Sequence, residues 1–132
     1  MTWFVDASVA VAMLGVEDGW EKLAERLDRD SQRIWSPIAR WETIVGLRSR
    51  LKTTVEIARA QVEEFALMHT IRSIAIGERE AEIALDAHQF YGKGSGHPAH
   101  LNMGDCFAYA CAKAHNARLL YKGDDFAKTD LA

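Results

Sequence analysis

The sequence predicts an α/β fold with helices wrapped around a short, mostly parallel sheet of four or five strands. Short apolar runs of strand-forming residues alternate with longer stretches whose apolar residues recur at helical spacing. Strong helix starts, Ser36-Pro37 above all, punctuate that alternation. At 132 residues the chain is expected to form one domain spanning 1–132, large enough to bury a core without staples.

Trp3-Phe4-Val5 reads as the first strand and ends at Asp6, after which Ala7 to Leu14 reads as a helix. Asp6 therefore falls at the carboxyl end of a strand, the edge where open α/β sheets bind ligands. An aspartate in that position also serves as a helix N-cap. Glu17 to Leu27 is amphipathic, with Trp20, Leu23, Ala24 and Leu27 on one face and Glu21, Lys22, Glu25 and Arg26 forming a solvated one. Arg33-Ile34-Trp35 is the second strand. The helix begun by Ser36-Pro37 runs to about Leu51, with Trp41, Ile44, Val45 and Leu47 as its apolar face. Glu42 sits among them, which implies partial burial, either as an acid paired along its helix or as a functional group. Arg48, Arg50 and Lys52 close this helix. They either complement its C-terminal dipole or contact phosphate beside an acidic site.

Thr53 or Thr54 caps the next helix, which extends to about Met68 with Val62, Phe65, Ala66 and His69 inward. Ile71 to Ile76 is the third strand, and Gly77 to Tyr91 a helix whose first turns are loaded with Glu78, Glu80 and Glu82. Tyr91 to Pro98 is a glycine-rich break that lacks phosphate-loop spacing and does not follow a strand. It reads as a connecting loop, with Lys93, His97 and His100 as candidates to face substrate. His97 and His100, without further imidazole or thiolate ligands nearby, make a poor zinc site. The helix from about Leu101 to His115 is apolar on most faces and belongs in the interior. Asp105, near its start, caps free N–H groups or is paired, protonated or bound to a cation, because an isolated buried charge is too costly. Arg118 to Tyr121 is the fourth strand. It runs into Lys122-Gly123-Asp124-Asp125-Phe126, where acids again lie just past a strand end, in what is otherwise an ordinary Gly-Asp turn.

Apolar content of 48% and charged content of 27% exclude wholesale disorder, and no apolar run approaches the ~20 residues that span a bilayer. The N-terminal stretch has no basic leader and carries an aspartate, so a cytoplasmic protein with no membrane association is expected. Cys106 and Cys111, five apart on one helix, suit reduced core residues better than a disulfide or a metal knuckle. A net charge of −3 argues against a general nucleic-acid coat protein, though not against a nuclease whose acids are gathered in one pocket.

In a parallel sheet the carboxyl ends of the strands and the helix starts share one edge. That topology draws Asp6, Asp105, Asp124 or Asp125, and Glu42 together. Such carboxylates repel one another and take up protons unless a cation sits among them. Oxygen ligands without thiolates or clustered imidazoles point to Mg²⁺, with Mn²⁺ as the alternative.

The chain resembles a PIN domain, and more closely the VapC-type toxins of bacterial and archaeal toxin–antitoxin pairs. The resemblance covers essentially the whole chain. It rests on FVDASVAVAML, SPIARWETIVGLRSRL and the block FYGKGSGHPAHLNMGDCFAYACAKAHNARLLYKGDDFAKTDL. It implies a PIN-like three-layer α/β/α sandwich and puts the family's acids on Asp6, Glu42 and Asp105. For the fourth acid, the common pattern falls on Gly123, and the toxin version of the turn points to Asp124 with Asp125 adjacent. Ser8 and Asn102 match supporting polar positions. The implied activity is Mg²⁺-dependent hydrolysis of RNA phosphodiesters, with Asp6, Asp105 and Asp124 or Asp125 holding the ion and Glu42 orienting or deprotonating water. Arg48, Arg50, Lys52 and Lys93 become candidate phosphate contacts. The resemblance also implies a homodimer and a cognate VapB-type antitoxin that blocks the site, docking near Trp20 and Trp41. Two rivals remain. A phosphohydrolase with Asp6 as nucleophile would want an acid two residues on, where Ser8 stands. A catalytically inactive PIN fold would only bind RNA or protein.

Overall fold

The computed structural model describes residues 1–132. Four strands, β1 (Thr2–Val5), β2 (Gln32–Trp35), β3 (Ile71–Ser73) and β4 (Arg118–Leu120), form one sheet in the order β3-β2-β1-β4, and every pairing is parallel. Helices fill each crossover: α1 (Ala7–Leu14) and α2 (Trp20–Arg29), then α3 (Pro37–Leu51) and α4 (Val55–Met68), then α5 (Glu78–Tyr91) and α6 (Met103–Ala114). The first two crossovers step in one direction along the sheet and the third returns across it. Right-handed connection therefore puts α1–α4 on one face and α5 and α6 on the other, giving three α/β/α layers.

β1 lies at the centre because it is apolar on both sides. Phe4 pairs with Ile34 on β2 and Leu119 on β4, and Phe4 and Val5 are fully buried between the helical layers. Trp3 completes the strand. Its indole N–H donates to the Arg26 carbonyl at 2.9 Å, and the Arg118 guanidinium lies 4.1 Å from its ring centroid. Cys106 and Cys111 are buried and free, and burial pushes the Cys111 thiol up to about 12. The end of the chain is tied to α5 and α6 through Asp130. Its carboxylate accepts hydrogen bonds from Tyr109 at 2.7 Å and Tyr91 at 3.3 Å and pairs with Lys113. No helix is long and apolar enough to cross a membrane.

Three local expectations change. α2 begins at Trp20 instead of Glu17, because Gly19 at φ +84° turns the chain just before it. β3 stops at Ser73 instead of Ile76. It is an edge strand whose one neighbour, β2, ends at Trp35, and the last ladder bond runs from Ile74 N–H to the Trp35 carbonyl at 2.9 Å. The inward face of α3 is Ala39, Thr43, Ile44 and Leu47, so Trp41 is 64% exposed and Val45 also reaches solvent. Thr43 can occupy a buried position because its hydroxyl donates back to the Ala39 carbonyl at 2.7 Å.

Truncating Phe4 at the sheet centre is expected to remove about 3–5 kcal/mol of unfolding free energy, whereas Met68→Ala on the exposed side of α4 should change it by less than about 0.5 kcal/mol. Urea unfolding of the two variants measures the contrast, and equal losses would contradict a core centred on β1.

Candidate acidic site

The first acid is fixed by the junction of β1 and α1. Asp6 N–H donates to the Leu120 carbonyl at 3.0 Å, extending the β1–β4 ladder, and the residue then caps α1. Its Oδ2 accepts from Ser8 N–H at 3.1 Å and from the Ser8 hydroxyl at 2.6 Å. The Ser8 oxygen in turn accepts from Lys122 N–H at 2.9 Å. Ser8 thus joins the first acid to the turn after β4. Asp6 is 8% exposed, and that burial raises its carboxyl above the usual range against the pull of the Ser8 hydroxyl.

Glu42 enters on α3. Ser36 caps that helix by accepting from Ala39 N–H at 3.1 Å, and Pro37 occupies its first turn, so the helix starts at the carboxyl edge of β2. Glu42 lies a turn and a half further on, and its carboxylate, which makes no hydrogen bond or ion pair, packs against Gly104 of α6. Its carboxyl is pushed up to about 7, first by burial and then by the charges of Asp6 and Asp105.

Asp105 stands in the first turn of α6 within a capping box. Asn102 Oδ1 accepts from Asp105 N–H at 2.8 Å, and Asp105 Oδ2 accepts from Asn102 N–H at 3.1 Å. Burial pushes its carboxyl up to about 6; the Asn102 bond and the Lys93 ammonium draw it down, while Asp125 and Asp6 push it further up.

The charge of Asp125 acts on both Asp6 and Asp105, whereas no such interaction involves Asp124. Gly123, at φ +96°, turns the chain into this loop, and buried Phe126 pins its far side. Of the two adjacent acids, Asp125 is therefore the one electrically joined to the site.

The basic candidates divide. Lys93, from the glycine-rich loop, lies near enough for its charge to act on Asp105, without an ion pair between them. Arg50 instead pairs with Glu17 at 3.3 Å, and Arg48 and Lys52 are exposed at the far end of α3. Eight residues of helix separate Arg50 from Glu42, about 12 Å of rise. His97 does not face the acids. It meets Tyr91 edge-to-face at 4.8 Å, and its Nδ1 accepts from Ala99 N–H at 3.1 Å inside the loop.

Two contributors were not anticipated. Gly104 is one. The other is Glu17, which accepts from Lys122 Nζ at 2.8 Å while pairing with Arg50, and so holds the same turn that Ser8 holds. A glycine in the first turn of an otherwise apolar helix was the legible sign of the former. The latter depends on a contact across 105 residues, which no local pattern reveals.

No three acidic, histidine or cysteine side chains converge tightly enough to make a ready-built metal shell. The donor set nonetheless suits a hard divalent cation. It is all oxygen, its carboxyls are raised by burial and mutual repulsion, and Glu42 has no counter-charge. Asp6, Asp105 and Asp125 are the residues that could hold such an ion.

Comparison with known proteins agrees with this architecture. A family model described as the PIN domain matches residues 3–131, which defines the class. A VapC ribonuclease of Rhizobium meliloti is 43% identical over 97% of this chain and 98% of its own length. Ribonuclease VapC42 of Mycobacterium tuberculosis is 36% identical over 96% of this chain and 95% of its own length. Among solved structures, the sarcin–ricin loop cleaving toxin VapC20 of M. tuberculosis has a TM-score of 0.72 at 17% identity, covering 95% of this chain and 92% of that one. A toxin–antitoxin complex from Klebsiella pneumoniae has a TM-score of 0.70 at 21% identity, covering 97% and 92%. The chain belongs to the PIN-domain family, and within it to the VapC ribonucleases.

The raised carboxyls carry a stability consequence. Glu42 and Asp105 bind protons more tightly in the folded chain, at about 7 and 6, than at their ordinary 4.5 and 3.8. The native state is thus favoured fully below pH ~4, and that advantage is lost as pH rises through 6 to 7. In chelator, the thermal midpoint of Glu42→Gln should exceed that of the parent at pH 8 and converge with it near pH 4.5. A pH-independent difference would rule out a raised Glu42 carboxyl, whether by burial or by its acidic neighbours.

Proposed function

We propose that the protein is a Mg²⁺-dependent endoribonuclease, the toxin of a toxin–antitoxin pair, acting in the cytoplasm and neutralised by a VapB-type antitoxin. The observation that carries this reading is the meeting of Asp6, Glu42, Asp105 and Asp125 at one sheet edge with Lys93 as the adjacent cation.

In this reading Asp6, Asp105 and Asp125 hold the ion, with Mn²⁺ as an alternative to Mg²⁺ and Asp124 beside it in the turn. A divalent cation there supplies Lewis-acid polarisation of the scissile phosphate and a more acidic bound water. Ser8 and Asn102 orient the aspartates through the hydrogen bonds described above. Glu42, poised near neutrality, receives a proton from the attacking water or orients it for in-line attack. Lys93 meets the backbone phosphate, and Arg48 and Lys52 extend the cationic track for a longer RNA. A homodimer is part of the reading. The apolar residues exposed near the site, Trp41 on α3, Leu85 on α5 and Met103 on α6, support it. The antitoxin is expected to place a basic side chain among the acids, and the Klebsiella relative seen as a toxin–antitoxin complex supports such a partner. Trp20, half-buried at the start of α2, offers less surface for that partner than Trp41.

Cleavage of structured RNA is expected with Mg²⁺, to vanish in EDTA, and to fall ~10²-fold or more in Asp105→Asn. RNA binding without cleavage under any of these conditions would instead mark a binding module. Asp125→Asn should lower the cleavage rate at least ~10-fold further than Asp124→Asn. The opposite order would move the fourth acid to Asp124.

A further inference from the structure

We propose that Gly104 is a positioning residue for Glu42: the missing side chain in the first turn of α6 is the space that the Glu42 carboxylate occupies. The proposal rests on the nuclease reading for its consequence and on geometry for its substance. A Cβ built on Gly104 would overlap Glu42 Oε2 outright and lie 2.7 Å from its Cδ and 3.0 Å from Oε1. Ordinary contact begins at 3.4 Å, so the carboxyl group would have to retreat by more than about 1 Å.

Nothing else holds Glu42 where it is. Its carboxylate has no hydrogen bond and no ion pair, and its stem rises from a different helix than the other acids. Position therefore comes from packing: α3 approaches α6 closely enough that the carboxylate rests on bare backbone. The next residue on α6 is Asp105, so one step along a single helix fixes both the ligand candidate and the floor beneath Glu42. Gly104 is itself buried, which leaves an added methyl no way to turn outward.

A glycine here is otherwise a poor choice. It lies within a helix, where alanine is the better helix former, and its backbone takes no left-handed conformation that would demand glycine. The helix would be more stable with alanine; the site would not keep its geometry. This separates a positioning role from a merely structural one.

The test is a double-mutant cycle of Gly104→Ala and Glu42→Ala in the full-length protein, read as kcat and KM for RNA cleavage, RNA binding in EDTA, and thermal midpoint. The glycine substitution alone is expected to lower kcat at least tenfold, leave KM and RNA binding within about twofold, and leave the midpoint unchanged or higher. In the Glu42→Ala background it should have no further effect. A crystal structure of Gly104→Ala should show the Glu42 carboxylate moved. Full activity of Gly104→Ala, an equal loss from Gly104→Ala in both backgrounds, or an unmoved carboxylate would each overturn the proposal. Inactivity of the parent protein would sink the nuclease reading instead, and the crystallographic comparison would still decide the placement of Glu42.

Discussion

Repulsion among carboxylates at one edge of the sheet is the constraint to which the rest of this structure answers. Burial first, and then the charges of neighbouring acids, raise the proton affinity of Asp6, Glu42 and Asp105, and no ion pair within the chain neutralises them. Such a cluster can persist only where each acid is held by something stronger than the repulsion. The hydrogen-bonded scaffold supplies that. Asp6 is locked by the β1–β4 ladder and by Ser8, and Asp105 by its capping box, while Glu42 is carried by a helix begun at Ser36-Pro37 and placed by packing on Gly104. The fold functions as a clamp on like charges. The site and the sheet topology are then one design, since a parallel sheet is the arrangement that delivers strand ends and helix starts to the same edge.

That view removes an apparent choice in reading Asp6 and Asp105. Each looks like an ordinary helix-capping acid, and each is one. Oδ2 of Asp6 caps α1, and Oδ2 of Asp105 closes the box with Asn102. Capping does not compete with a metal-binding role. A carboxylate that spends one oxygen on backbone N–H groups is rigid, and it enters the site without the entropy a free side chain would lose.

What was legible in the sequence follows the range of the interactions involved. Strand and helix starts are local, and Asp6, Ser36-Pro37, Asn102 and the apolar α6 could be placed from near neighbours alone. Helix faces were less secure. Trp41 and Val45 look like core residues on hydrophobicity, but the inward face includes Thr43, whose hydroxyl is satisfied within its own helix turn. The end of β3 depended on the length of its partner β2, which β3's own residues do not encode. Asp124 and Asp125 satisfy any local pattern equally; what distinguishes them is the long-range reach of the Asp125 charge to Asp6 and Asp105.

The turn after β4 shows how far such non-local control reaches. Lys122 is gripped at both ends, its backbone N–H by the Ser8 oxygen and its ammonium by Glu17, which also pairs with Arg50 at the close of α3. The ammonium pair is partly exposed and contributes little to global stability. Its effect is geometric. Asp125 sits three residues beyond Lys122 on an otherwise exposed turn, so the grip on Lys122 limits where that carboxylate can go. Glu17 and Arg50 lie outside the acidic site, and Arg50 belongs to the basic cluster that the sequence leaves open between the helix dipole and phosphate contact. With Arg50 committed to Glu17, the cation that remains beside the acids is Lys93, carried on the glycine-rich loop. The negative charges of the site are thus clamped by the fold, while the nearby positive charge is carried on a glycine-rich loop outside the helices.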